Sequence, residues 1–393
     1  MIEKKQIYIL FICYFIYMLQ SFLPGGLKAL STICALLFIA ICSYYLVKSF
    51  LYKRERNSII LILLFMTFSY VLSYILSPMK DLGFNLIKTY ALANFIFFPV
   101  YYLSKKNIIT TYHLKFVFLF GFIFLVFEYF KNAQALYMAR LIDSYDNVNN
   151  SGYNLLCILP MLFFYKNKFF KYICFALIAY LIVSSYKRGA IITFTVSCIP
   201  IFTLFVTEIK ESKTSKFTYF IIFAVLIGSF ANNIIEFISE NDYLIERFQS
   251  ISEGNSSGRD RLVTKALSVY FEEDSLLRYL FGAGLASTFY FAGNYAHNDW
   301  VETLVNQGLF GFVCLIVFYY SIFKIYRKEQ ASPYKHIMFM TFIILFLRTV
   351  FSMSFANPYS TFLIICVAFI SGKQNSEVTK SHLLQKNKIK DVK

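Results

Sequence analysis

Residues 57–77 read NSIILILLFMTFSYVLSYILS and contain no charged side chain. Because about 20 apolar residues in a helix cross the hydrocarbon core of a bilayer, this stretch predicts a membrane-spanning helix. Similar runs recur on both sides of it, giving about twelve candidate spans along the chain. The chain is 58% hydrophobic and only 15% charged, which excludes an ordinary soluble protein. Since the runs are continuous and do not alternate, the sequence predicts an all-α polytopic membrane protein and excludes a transmembrane barrel.

The net charge of +16 is concentrated in alternate short loops. Lys48, Arg54, Lys105, Lys166 and Lys213 mark such loops. Positive charge in short loops favours the cytoplasmic side, so we expect a multi-pass membrane protein with both termini in the cytoplasm. This asymmetry explains the basic composition without a nucleic-acid partner.

Loop lengths divide the chain into four predicted regions. The spans before the long loop form the first part of the bundle, a large external loop follows, the last spans complete the bundle, and a polar, Lys-rich tail on the cytoplasmic side is predicted to be disordered. These regions are residues 1–237, 238–299, 300–371 and 372–393.

The external loop carries its own pattern. Residues 256–258 read SSG and predict a turn, after which Ala266 and Tyr270 belong to an apolar series at helical spacing that starts near Arg259. We expect an amphipathic helix there, lying on the bundle at the membrane surface. Residues 281–284 read FGAG and predict a flexible turn.

His297 lies where the loop enters the next span, while the other histidines fall on the predicted cytoplasmic side. Because histidine titrates near neutral pH, it is a candidate general base at the outer surface. The alternative is an interfacial residue that caps the following helix alongside Asn298 and Asp299. Asp299 or Glu302 could orient the imidazole or help to remove a proton.

Three cations next to or within apolar runs stand out on the predicted external side, where positive charge is disfavoured. Lys187 and Arg188 separate two apolar runs, and they either snorkel from a helical hairpin or bind an anion at the following helix start. Arg348 lies late in its span, and either lines the same cavity or pairs with Glu302 or Glu128.

Short motifs follow one another in a fixed order between residues 184 and 311. They are Lys187-Arg188-Gly189-Ala190, Ser257-Gly258-Arg259, Gly282-Ala283-Gly284, His297-Asn298, Gly308 and Gly311. In order, spacing and sidedness this series resembles the O-antigen ligase and polymerase superfamily. The resemblance implies a GT-C-like glycosyltransferase bundle. The sequence departs from the family pattern at Lys187, a position where the family usually has Ser or Thr.

The resemblance also implies a reaction: transfer of a glycan from undecaprenyl pyrophosphate to an acceptor hydroxyl on the outer face of the membrane. Arg188 and Arg259 would hold the pyrophosphate as it leaves, and His297 would take the proton of the attacking hydroxyl, with inversion at the anomeric carbon. No metal or other cofactor is expected. Residues expected to contact substrate are Lys187, Arg247, Arg261, Asn298, Asp299 and Arg348.

The spacing of Arg247 and Gly258 is similar to the Arg-x10-Gly pattern of Wzy-type polymerase loops. It favours a polymerase of O-antigen or capsule repeat units in the bacterial cytoplasmic (inner) membrane, working with membrane lipid and with a chain-length regulator as a candidate partner. A ligase, which would transfer the polymer to lipid A core, remains open. The non-enzyme alternative is a transporter or flippase of lipid-linked glycans, for which charges nearer the bilayer midplane are expected. A division-type transglycosylase would need an acid such as Asp260.

Overall fold

A computed structural model describes most of the chain and contains only helices within the part it describes. The described residues are 2–21, 28–51, 57–141, 150–185, 187–208, 259–272, 275–330, 333–352 and 357–390. All regular elements in these ranges are helical, as the continuous apolar runs predict.

The helices before the long loop are α1 to α9. They are Ile2–Met18, Lys28–Leu51, Ser58–Leu76, Lys80–Asn94, Phe97–Lys105, Thr111–Leu141, Ser151–Leu162, Lys168–Val183 and Arg188–Glu208. The later helices are α10 to α15. They are Arg259–Phe271, Leu276–Phe281, Ser287–Ala292, Asp299–Lys328, Tyr334–Phe351 and Thr361–Lys390, and the last is preceded by the short 3-10 turn Pro358–Ser360.

The predicted span near residues 217–237 lies outside the described residues, and the one at residues 84–103 is divided between α4 and α5, while the other predicted spans fall on described helices. Among the described helices, 6 are long and apolar enough to cross a membrane, and α1, α7 and α9 contain shorter apolar segments. The chain is therefore a helical membrane protein, while the total of about twelve spans stays a prediction.

Basic side chains gather at one end of the bundle. Lys48 of α2 and Lys106, just after α5, both contact Glu3 of α1, at 3.0 and 3.3 Å. Burial alone would raise the pKa of Glu3, but the hydrogen bonds and charges of the two lysines lower it below its ordinary value. Lys373 of α15 bonds the nearby Asn107 at 2.7 Å, so α15 brings a further cation to this basic end.

The polar tail continues the last helix. α15 runs to Lys390, so the expectation of disorder from Gly372 is wrong for the described part of the tail. Lys and Gln are good helix formers, and a helix that already exists extends without a new nucleation step. The first tail residues also have partners: Gln374 donates to Glu329 at 2.7 Å, which places the end of α13 beside the basic end.

The beginning of α13 lies at the opposite end, called here the outer mouth after the side on which the charge distribution predicts it to lie. Trp300 in its first turn donates from Nε1 to the Thr349 hydroxyl in the last turn of α14, at 2.8 Å. On α9, a Cβ at Gly189 would come within 2.6 Å of Phe351. The last turn of α14 therefore lies between the first turns of α9 and α13.

The FGAG turn is tightly packed against α13. A Cβ at Gly308 would meet the backbone nitrogen of Gly282 at 2.4 Å, and both glycines have positive φ, at 67° and 79°. The N–H groups of Ala283 and Gly284 donate to carbonyls of α13 at 2.9 and 3.1 Å. The turn is present as predicted, and its backbone hydrogen bonds attach it to α13 at the kink around Gly308. The two backbones can approach this closely because both positions are glycine.

Candidate functional site

His297 immediately precedes the N-cap of α13. The cap is Asn298, whose side-chain oxygen accepts from the N–H groups of Trp300 and Val301 at 3.0 and 3.2 Å. The capping role that the sequence left open for His297 therefore belongs to Asn298. His297 itself has φ +53°, a left-handed conformation that is uncommon for a residue with a side chain.

A buried carboxylate one turn into α13 organises the segment before it. Glu302 is 5% exposed and accepts hydrogen bonds from the Thr288 hydroxyl, the Ala296 N–H and the Asn306 side-chain amide. The oxygen of the same Asn306 amide accepts from the N–H of Thr288 at 3.3 Å. Both Glu302 oxygens thus have donors, which is the condition under which a buried carboxylate is tolerated.

These contacts secure the chain on both sides of His297. Ala296 is bound to Glu302, and Asn298 is bound to the first turn of α13. Strained backbone of this kind persists only where its surroundings hold it. Tyr295 lies close enough to Glu302 to interact with it electrostatically. Burial raises the pKa of the Tyr295 hydroxyl, and the nearby Glu302 raises it further. The left-handed His297 is therefore presented by a satisfied polar cluster, called here the Glu302 cluster, of Thr288, Ala296, Glu302 and Asn306.

Sequence reasoning found His297 but missed part of this cluster. Thr288 and Asn306 carry no motif, and both fall in stretches that are otherwise apolar or small. The available signal was the separation of Glu302 and Asn306, which are four residues apart and therefore on one face of a helix. Asp299 in the first turn is also buried, at 5% exposed.

Arg188 begins α9 at the same outer mouth. The Lys187 carbonyl accepts the N–H groups of Ala190 and Ile191 at 2.9 and 3.0 Å, so Lys187 and Arg188 form the helix start, and both side chains are half-buried. Gly189 is buried against Tyr153 and Phe351. Arg188 and His297 are thus brought to one end of the bundle, on helices that flank the last turn of α14.

The helix predicted from the apolar spacing after residue 258 is present as α10, which begins at Arg259. Its apolar residues Ala266 and Tyr270 form a small buried cluster with Val305 of α13. α10 therefore lies against the first turns of α13, and Arg261 is exposed on its outer side. Arg247 and the side chain of Arg259 lie outside the described part of the chain.

Arg348 does not pair with either expected carboxylate. Its Nη1 donates to the Cys157 sulfur and to the Ser360 hydroxyl, the latter at 3.3 Å. Glu302 is occupied as described above, and Glu128 accepts from the Tyr359 hydroxyl and the Asn154 amide. The expected ion pair is absent between these described residues because both carboxylates are bound by neutral donors.

Comparison with protein families gives one match in this region. Residues 173–316 match a family model described as O-antigen ligase (Wzy_C). The match includes Arg188, α10, the Glu302 cluster and His297, and it confirms the family resemblance that the motif series indicated. A comparison with curated proteins finds no match.

Proposed function

We propose that this membrane protein transfers a glycan from undecaprenyl pyrophosphate to a sugar hydroxyl, because residues 173–316 match a family model described as O-antigen ligase. The reaction would take place at the outer mouth, which would face the outside of the cytoplasmic membrane. The observation that carries the proposal is His297, held left-handed between two anchored neighbours within the matched domain.

His297 would act as the general base. It would take the proton of the acceptor hydroxyl while the hydroxyl oxygen attacks the anomeric carbon, and the bond from that carbon to the pyrophosphate oxygen would break. Attack from the side opposite the leaving group inverts the anomeric configuration. Arg188 and Arg259 would bind the departing pyrophosphate, whose oxygens match the planar donor fork of a guanidinium.

Glu302 would act as a positioning residue in this reaction. It binds the backbone N–H of Ala296, next to His297, and so supports the backbone conformation that presents the imidazole. Glutamine at this position would keep an acceptor for that N–H, whereas alanine would remove it. The two substitutions therefore separate a positioning role from a requirement for negative charge.

Two related reactions fit this chemistry. The separation of Arg247 and Gly258 favours a polymerase that joins lipid-linked repeat units of O-antigen or capsule, with a chain-length regulator as a possible partner. The description of the matching family favours the second candidate, a ligase that transfers the finished polymer to lipid A core. The two differ in their acceptor and so in their surface products.

The test is a complementation gel in the native host. The gene is deleted and replaced by wild type, His297→Ala, Arg188→Ala or Arg259→Ala at matched membrane levels, with His113→Ala as a control at the basic end. A strain limited to single repeat units on the lipid anchor identifies a polymerase. Complete loss of attached glycan, with polymer retained on undecaprenyl, identifies a ligase. Wild-type glycans in the three site variants would refute the proposed site.

A further inference from the structure

Two nitrogen atoms of the Arg348 side chain have no hydrogen-bond acceptor among the described residues. The side chain is fully buried near the end of α14, and only Nη1 has acceptors, the Cys157 sulfur and the Ser360 hydroxyl. Among the described residues, its Nε and Nη2 have no hydrogen-bond partner. These two nitrogens form the side-on edge of the guanidinium, which directs two nearly parallel N–H groups at one acceptor group. The edge therefore suits a group with two oxygens.

The Arg348 side chain is a cation in a buried position. A thiol and a hydroxyl are neutral acceptors, and they leave the positive charge uncompensated. The described residues thus keep a buried cation whose best-suited partner, an oxyanion, they do not supply.

The surroundings of Arg348 are polar and include a second unfilled group. Asn154 Oδ1 is buried without a partner among the described residues, while its Nδ2 donates to Glu128 at 3.3 Å. Tyr359, next to Ser360, donates to the other oxygen of Glu128. These polar side chains are neighbours of the Arg348 partners along the chain, because Asn154 lies three residues before Cys157 on α7 and Tyr359 directly precedes Ser360.

This region is separate from the Glu302 cluster. Thr349, the residue after Arg348, bonds Trp300 on α13, and successive helical residues project about 100° apart. Arg348 instead contacts Cys157 on α7 and Ser360 just before α15. It lies three residues before Phe351, about 4.5 Å along the helix axis from the outer end of α14.

We propose that Arg348 binds an oxyanion of the substrate, either a phosphate of a lipid-linked glycan or the carboxylate of an acidic sugar. The identity of the substrate rests on the proposed function, whereas the anion site rests on the geometry of Arg348. A polymerase handles two pyrophosphate-linked substrates and a ligase handles one. A phosphate site in addition to Arg188 and Arg259 therefore fits a polymerase.

The test uses the full-length protein purified in detergent. Arg188→Ala and Arg259→Ala are combined to remove the other proposed pyrophosphate ligands, and thermal unfolding is followed with inorganic pyrophosphate, glucuronate or chloride. We expect pyrophosphate or glucuronate to raise Tm by a few degrees at concentrations where chloride does not. Adding Arg348→Met should abolish the shift, and adding Arg348→Lys should reduce it, because lysine keeps the positive charge but not the planar pair of parallel N–H groups. A pyrophosphate response identifies a phosphate ligand, and a glucuronate response alone identifies a carboxylate.

The ligand-free proteins give an independent result. If the guanidinium edge lacks a partner, Arg348→Met should unfold at the same temperature as its parent or higher. A fall of several degrees would show that Arg348 is a structural residue, and equal anion responses with and without Arg348, or no response to either anion, would also overturn the proposal. If Arg188→Ala and Arg259→Ala leave the cellular glycans unchanged, the proposed function fails at its own site, while the Arg348 measurement keeps its meaning.

Discussion

Glu302 and Arg348 are both buried ionisable side chains near the outer mouth, but their surroundings differ. Both oxygens of Glu302 accept hydrogen bonds, and one of them holds the segment that carries His297. Arg348 uses one nitrogen, and its remaining edge is empty among the described residues. A buried ionisable group whose hydrogen bonds are all made holds the structure around it, whereas one with unused hydrogen-bonding atoms is available to a ligand. The substitutions below test that difference, from the largest expected loss of stability to the smallest.

Glu302→Ala should cause the largest loss. It leaves the Ala296 N–H, the Thr288 hydroxyl and the Asn306 amide without their acceptor, and unsatisfied buried donors of this number cost about 4 kcal/mol together. We expect a lower Tm in detergent and loss of glycan transfer in cells. Glu302→Gln is the control: its amide oxygen can accept from the Ala296 N–H, but its amide nitrogen cannot accept from Asn306, so it should recover part of both. If Glu302→Ala is as stable as wild type, the cluster does not hold the segment.

Gly308→Ala should come next. A Cβ would lie 2.4 to 2.5 Å from the backbone of Gly282 and Leu280, at a φ that side chains avoid. The strain and overpacking should cost about 3 kcal/mol and disturb the turn of α13 that carries Asn306. Gly293→Ala is the matched control, because it also has positive φ but nothing within 4 Å, and should cost only about 1 kcal/mol. If Gly308→Ala and Gly293→Ala lower the Tm by the same amount, close packing at Gly308 is not the cause of the loss.

Asn298→Ala should have a smaller effect. It removes the side-chain acceptor for the N–H groups of Trp300 and Val301, a cap whose loss typically costs about 1 kcal/mol. Asn298→Asp keeps an acceptor there and should unfold close to wild type. If Asn298→Asp loses activity while its Tm is unchanged, the Asn298 amide also contacts substrate, as the family resemblance implies.

Arg348→Met should cost the least stability, or none, although the buried Arg348 side chain is larger than that of Glu302. Truncating a satisfied charge is destabilising, whereas removing an unpaired one relieves a burial cost. Measured by thermal unfolding without added anion, Arg348→Met and Glu302→Ala should therefore change Tm in clearly different amounts. Similar losses in both would remove the distinction between the two regions.

Hydropathy was enough to place the helices, because a bilayer requires long apolar runs and leaves few other options for the backbone. The amphipathic helix from Arg259 was also predictable, since its apolar series has helical spacing. The Glu302 cluster was not, because its partners come from α12, the segment before α13 and α13 itself, and only the folded chain brings them together. The environment of Arg348 was unpredictable for the same reason: Cys157 and Ser360 are distant in sequence, while both carboxylates that looked available are occupied.

The most direct measurement is release of undecaprenyl pyrophosphate by the purified protein in liposomes supplied with lipid-linked glycan. The account predicts that His297→Ala slows release by about 100-fold or more, the usual contribution of a general base. His113→Ala, which changes a histidine near Thr110 and Tyr8 at the start of α6, should react at the wild-type rate. Release by His297→Ala at the wild-type rate would contradict the account.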